Sequence, residues 1–252
     1  MMWTAVSESE AQPRPVVTEL FVTTRWSVVL TAQDGAVPDA ASALETLCRT
    51  YWYPLYAYVR GTGRRPEDAE DLTQEVFSRL LERDWLKVVA PEKGRFRAFL
   101  LMAMKRFLAK EWRREQTQKR GAGMKLLPFD TAVAEGRFAA EPALNPEEIY
   151  ERRWALMLLE QALERLRREH EQSARAAEFE LLKPWLGAAR GEIPYAGIAA
   201  GLATTEGAAR VAVHRLRKRF RELFRLTIAE TVADEGEVET ELRHLLGVLR
   251  RA

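Results

Sequence analysis

The chain has 252 residues, 47% of them hydrophobic, and 39 lysines and arginines against 37 aspartates and glutamates. That length and composition support one or two ordinary cores, with two small domains as the natural division, and the near balance of charge hides an uneven distribution. No apolar run approaches the roughly 20 residues that span a bilayer. Cys48, the single cysteine, excludes an intrachain disulfide and a thiolate-rich zinc site.

Residues 1–20 contain Glu8, Glu10 and Pro13 and no apolar stretch of signal-peptide type. A flexible N-terminus on a cytoplasmic protein without membrane attachment is expected. Between 44 and 60, Leu44, Leu47, Tyr51, Leu55 and Tyr58 form a helical stripe, with Pro54 as a candidate kink. Gly61, Gly63 and Pro66 end it. The next helix starts near Pro66 with Glu67, Asp68, Glu70 and Asp71 in its first turns, as the helix dipole favours. It buries Leu72, Val76, Phe77 and Leu80 and sets Asp71, Gln74 and Glu75 on its polar face. After a loop over 89–94, a third helix from Arg95 to about 116 turns Phe96, Phe99, Leu100, Ala103 and Phe107 inward. Lys105, Arg106, Lys110, Arg113 and Arg114 project outward from it.

Glycines and prolines then break every periodicity between 117 and 145, and the charge changes from Lys119, Arg120 and Lys125 to Asp130, Glu135 and Glu141. This stretch reads as a flexible linker. Helix resumes at Pro146 with Asn145 as its cap and continues to Arg168 on a leucine-rich stripe. A short helix over 179–186 precedes the most telling pattern. Ile198 and Leu202 lie four apart, a tight turn follows, and Ala209, Val213, Leu216, Phe220 and Leu223 repeat at steps of four and three. Thr204 or Thr205 can cap the second helix, and Arg210, His214, Arg217 and Arg221 occupy another face, flanked by Arg215, Lys218 and Arg219. This is the spacing of a helix-turn-helix, which lays its second helix in a DNA major groove. A last amphipathic helix carries Val238, Leu242, Leu245, Leu246 and Leu249. No strand-like alternation occurs. The expected fold is all-α: two small helical domains joined by a flexible linker, the second containing the helix-turn-helix.

Three segments in this order resemble the bacterial sigma-70-type factors, and within them the extracytoplasmic-function group. Pro66-Glu-Asp-Ala-Glu-Asp-Leu-Thr-Gln-Glu-Val-Phe77 looks like the helix that binds core RNA polymerase, and Gly94-Arg-Phe-Arg-Ala-Phe-Leu-Leu101 like the start of the promoter-melting helix. Ile198-Ala through His214-Arg-Leu-Arg217 looks like the second-domain helix-turn-helix. Tyr51-Trp-Tyr-Pro-Leu-Tyr56 and the tail over 228–246 further resemble a subgroup with a C-terminal extension. The resemblance implies a sigma region 2-like domain over 21–116, a linker over 117–145, a region 4-like domain over 146–225 and an extension over 226–252.

It also implies roles. Asp71, Gln74 and Glu75 match positions that dock on the polymerase, and Lys105, Arg106, Lys110, Arg113 and Arg114 give a positive track for a strand of the −10 element. Unpaired bases need a pocket or a stacking surface beside such a track, and the loop over 90–95 lies where the family builds one. Where many members have Ala-Arg-Asn, Met104-Lys105-Arg106 stands here, so a base-reading asparagine is replaced by arginine. For the −35 element, Thr205, Glu206 and Arg210 are placed to reach base edges, and His214 and Arg215 match a His-Arg pair. Arg215, Arg217, Lys218 and Arg219 would meet phosphates. Ala203 stands where the family often has glycine, at a cost of roughly 1 kcal/mol if a positive φ is required.

An enzyme is not expected. Glu241-Leu-Arg-His244 has Glu-x-x-His spacing but lacks the partner carboxylates of a metal site, and no phosphate loop or nucleophile elbow is present. No cofactor is implied. The sequence discriminates less sharply between a sigma subunit, with core polymerase and promoter DNA as partners, and an autonomous helix-turn-helix regulator. The linker favours the former. Whether an anti-sigma protein or the extension controls activity is left open by the sequence.

Overall fold

Two ends of one long helix explain how the chain is assembled. The computed structural model describes residues 26–34, 39–82, 85–90, 94–115, 130–139 and 144–251. The expected N-terminal tail, the cluster Lys119, Arg120 and Lys125, and residues 91–93 of the expected pocket loop lie outside them. Among these described residues ten α-helices follow in order: α1 (Trp26–Gln33), α2 (Ala40–Gly61), α3 (Pro66–Leu81), α4 (Phe96–Glu115), α5 (Thr131–Ala139), α6 (Pro146–Gln172), α7 (Ala176–Leu182), α8 (Tyr195–Gly201), α9 (Glu206–Ala229) and α10 (Val238–Arg250). Among the described residues there is no strand, so the all-α expectation holds.

The long element is α6. Its start is fixed by a reciprocal cap: Asn145 accepts from the Glu148 backbone N–H, and Glu148 accepts from that of Asn145. Pro146 occupies the first turn, where its missing N–H leaves no helical bond unmade. The N-terminal half of α6 packs against α2, and its C-terminal half supports α9. Trp154 of α6 stacks on Tyr51 of α2 with ring centroids 4.9 Å apart and planes 8° apart. Tyr51 also meets Phe96 of α4 edge-on, so three helices share one aromatic cluster. The same hydrophobic core continues through Leu158, Ala162 and Leu166 to Val213, Leu216 and Leu223 of α9. Both expected domains therefore share α6 as a wall.

Two helices add to the sequence expectations. The short helix α1 was not anticipated; it buries Val29 and Ala32, and Gln33 donates from Nε2 to the carbonyls of Leu86 and Val89, each at 2.7 Å. Helix α5 lies inside the stretch read as an irregular linker. Asp130 accepts from the Val133 N–H at its start, Ala134 is buried, and Glu135 accepts from Arg60 and Tyr56 of α2 at 2.6 Å each. That bond from Arg60 holds the Glu135 carboxyl below the usual range, against the opposing pull of desolvation. Gly136 made the segment read as broken, yet one glycine costs a helix only about 1 kcal/mol relative to alanine, which tertiary contacts offset. Residues 116–129 and 140–143 of the expected linker lie outside the described residues.

Candidate nucleic-acid interface

Two separate surfaces carry the residues singled out from the sequence. The first joins α3 and α4. Asp71 is exposed on α3, Glu75 is half-buried and accepts from Arg79 Nε at 3.0 Å, and Gln74 is only 6% exposed. The Gln74 amide donates to Glu70 at 3.1 Å, and Glu70 in turn accepts from Thr131 of α5 at 2.7 Å. The three polar residues expected on one open face are thus unequal: α5 lies beside that face, and Gln74 is turned into the structure.

On α4, Lys105, Arg106, Lys110 and Arg113 are exposed, while the Arg114 side chain lies outside the described residues. Met104 is fully buried, so the helix is locked at the middle of its basic face. Lys105 pairs with Glu147 of α6 at 2.7 Å and keeps that carboxylate in its charged form by lowering its pKa. Arg106 and Lys110 line a groove of about 810 Å³ whose other walls include Trp85, Phe99, Met102 and Phe107. Arg79 lies 4.7 Å above the Phe107 ring at its edge. Of the two phenylalanines near the start of α4, Phe96 is core and Phe99 is half-buried on the groove. Trp52 is core, stacked on Tyr56. Trp85 precedes a short 3-10 turn and lies on no helical stripe, whereas Met102 follows Phe99 by three residues on the groove face of α4, a spacing legible in the sequence.

The second surface is α8, a turn and α9. Helix α8 ends in a Schellman arrangement: the Thr204 N–H donates to the Ala199 carbonyl at 2.9 Å and the Ala203 N–H to Ala200 at 3.2 Å. Such a stop puts its central residue in the left-handed region, and Ala203 has φ +49°. The same device ends α6 at Ala174, with φ +55°. Ala203→Gly is therefore expected to stabilise the protein by about 1 kcal/mol, read as a higher urea midpoint at constant slope; an unchanged or lower midpoint would show that the alanine is not strained. Helix α9 then begins at Thr205, whose hydroxyl accepts from the Ala208 N–H at 3.2 Å.

Along α9 the basic residues divide into two sets. Arg210, His214, Arg215 and Lys218 are exposed on the outer face. Arg210 lies 4.1 Å above the Tyr195 ring and 3.8 Å from Glu206, so two side chains hold it near the start of the helix. Arg217 instead turns inward: it donates to the Trp185 carbonyl at 2.9 and 2.6 Å and also to that of Ala188. It ties the segment before α8 to α9. Arg219 donates to Glu169 of α6 at 2.8 Å, and that bond lowers the glutamate pKa.

The family model described as ECF sigma factor matches residues 40–191, which takes in α2 through α7. The chain belongs to the ECF sigma factor family. It is accordingly a sigma factor acting in transcription initiation, a non-catalytic role in which factors of this family work with core RNA polymerase and promoter DNA. The match ends before α8 and α9, so the second surface stands on its own geometry. Searches of curated proteins and of solved structures returned no match to this chain. For a sigma factor the Glu241-x-x-His244 spacing takes on another meaning, since Glu241 pairs with Arg95 and Arg97 and His244 Nε2 lies 3.1 Å from Glu151. No described helix is long and apolar enough to cross a membrane.

Proposed function

We propose that this sigma factor docks on core RNA polymerase through α3, takes a strand of the −10 element along α4, and reads the −35 element with α9. The groove between α3 and α4 supports the middle step most directly. Its α4 wall combines the cations Arg106 and Lys110 with the rings of Phe99 and Phe107, with Trp85 nearby, while Glu75, Arg79 and Glu82 form the α3 edge; the α4 wall offers what an unpaired strand requires, charge for its phosphates and flat apolar surface for its bases. In the docking step Asp71 and Glu75 make the contact and Gln74 orders the helix from within. Arg106, in place of an amide that reads a base edge, binds phosphate. On α9, Arg210 reaches bases from the first turn, steadied by Tyr195, while His214, Arg215 and Lys218 meet phosphates and Arg217 holds the reading helix in place.

Two measurements test this. The purified protein is expected to co-elute with core polymerase and to direct transcripts from discrete start points in a library of genomic fragments; failure to co-elute would end the proposal. Arg210→Ala should then relax selection at one or two upstream-element positions, at a cost of about 1–3 kcal/mol for the preferred sequence. Lys218→Ala should weaken binding to every sequence alike and flatten the salt dependence by about one phosphate contact. Equal loss on all sequences for both variants would overturn this division of roles.

A further inference from the structure

Helix α5 is nine residues of chain between the two expected domains, and it is seated against the helix proposed to dock on the polymerase. Its Thr131 hydroxyl donates to Glu70 of α3 at 2.7 Å, and the same carboxylate accepts from the Gln74 amide at 3.1 Å. Glu135 accepts from Tyr56 at 2.6 Å and from Arg60 at 2.6 and 2.9 Å. Arg60 also lies 4.9 Å from the centre of the Phe138 ring, and Arg137 lies 5.6 Å from that of Tyr53. Arg153 of α6 donates to the Arg137 carbonyl. Tyr53, Tyr56 and Arg60 form one row along α2 at steps of three and four, and Glu70 and Gln74 form one edge of α3. Helix α5 closes both. Asp71, on the neighbouring strip of α3, stays exposed, so the docking face that the sequence presents whole is open on one side only.

The seat is polar and slight. Among the described side chains of α5 only Ala134 is buried, and Val133 is 52% exposed. A nine-residue helix with a glycine at position 136 does not persist by itself in water, so its contacts with α2 and α3 keep it helical and their loss melts it. Elements of this kind sit at the low end of a protein's local stability. We infer that α5 is a removable cover on the docking helix: seated, it closes the edge of α3 with Glu70 and Gln74 and the row of Tyr53, Tyr56 and Arg60 on α2, and core RNA polymerase binds the form from which it has lifted. This rests on the proposed docking role of α3. Gln74, which orders the helix while α5 is seated, then joins Asp71 and Glu75 in the contact. Because only the uncovered form binds, the measured affinity is the intrinsic one reduced by the fraction uncovered.

The test uses the full-length protein and core RNA polymerase. Thr131→Val combined with Glu135→Gln should loosen the cover and raise the affinity for core roughly tenfold. Gly136→Ala should do the reverse. A Cβ added there meets no neighbour within 4 Å outside its own helix backbone, the alanine favours the helical, seated form, and affinity should fall about fourfold. Opposite signs from two changes in one helix are not produced by a damaged fold. In the wild type, binding core should speed hydrogen exchange of the amides in 131–139 while slowing it in 66–81. Slower exchange in 131–139, which would make α5 part of the contact, or two variants that bind core as wild type does, would overturn the inference. Either result with 66–81 protected leaves docking through α3 standing and sinks the cover alone, while failure of wild type to bind core sinks the docking reading.

Discussion

Arg97→Leu is expected to destabilise the protein by about 3–5 kcal/mol, because it leaves the Glu241 carboxylate in a buried site with one of its two arginines gone. The guanidinium does more than supply charge. It lies 6.0 Å from the centre of the Trp154 ring and faces both Glu151 and Glu241. Burial pulls its pKa down, but the two carboxylates outweigh that and hold it above the ordinary arginine value, so it stays charged. The informative comparison is Arg97→Met with Glu241→Leu. Replacing both partners of a buried pair by apolar groups of similar volume is often neutral or stabilising, and Arg95, part exposed, can swing its head into water. Chemical denaturation of wild type, both single variants and the double variant gives the coupling energy between the sites. A single variant costing less than about 1 kcal/mol, in the range of an exposed pair, would show that the carboxylate is hydrated in solution.

Most helices were legible in the sequence, and the exceptions share a cause. The stripes of α2, α3, α4, α6 and α9 were read from local spacing because each buries one continuous face against an apolar neighbour. Asn145 was legible from chemistry that acts within four residues, and Ala203 from the resemblance, which sets a glycine at that turn. What escaped depends on partners far along the chain. Helix α10 is the clearest case: its spacing put Leu246 inside, whereas Leu246 is exposed and Glu241 buried. Nothing near Glu241 announces Arg97, 144 positions away. Gln74 and Arg217 looked like solvent-facing polar residues for the same reason. The buried Gln74 has α5 packed beside its helix, and Arg217 serves carbonyls left over from an irregular turn. The candidate site was thus readable as a set of basic helix faces, but the pairing of those faces with acids from the other half of the chain was not.

Trp154→Ala should be the most damaging single truncation, at about 3–5 kcal/mol, out of a total stability that for domains is only about 5–15 kcal/mol. Trp154 is 1% exposed and stands where α2, α4 and α6 meet, against Tyr51 on one side and Arg97 on another. Alanine would leave a cavity that three helices cannot close without moving together, since Tyr51 is itself pinned by Phe96. Trp154→Phe separates packing from chemistry. The indole N–H is buried with no hydrogen-bond partner among the described residues, so phenylalanine removes a polar group that gains nothing there and keeps most of the ring stack. Its cost should stay within about 1.5 kcal/mol. Because α6 is a wall of both halves, wild type is expected to open in one step and the alanine variant to lose that cooperativity: the α2–α4 side should open before α9, giving two transitions when followed by hydrogen exchange. A single shared transition in Trp154→Ala, shifted by less than about 1 kcal/mol, would show that the halves are joined elsewhere than through this ring, with the ion pairs of Glu241 to Arg95 and Arg97 as the principal tie.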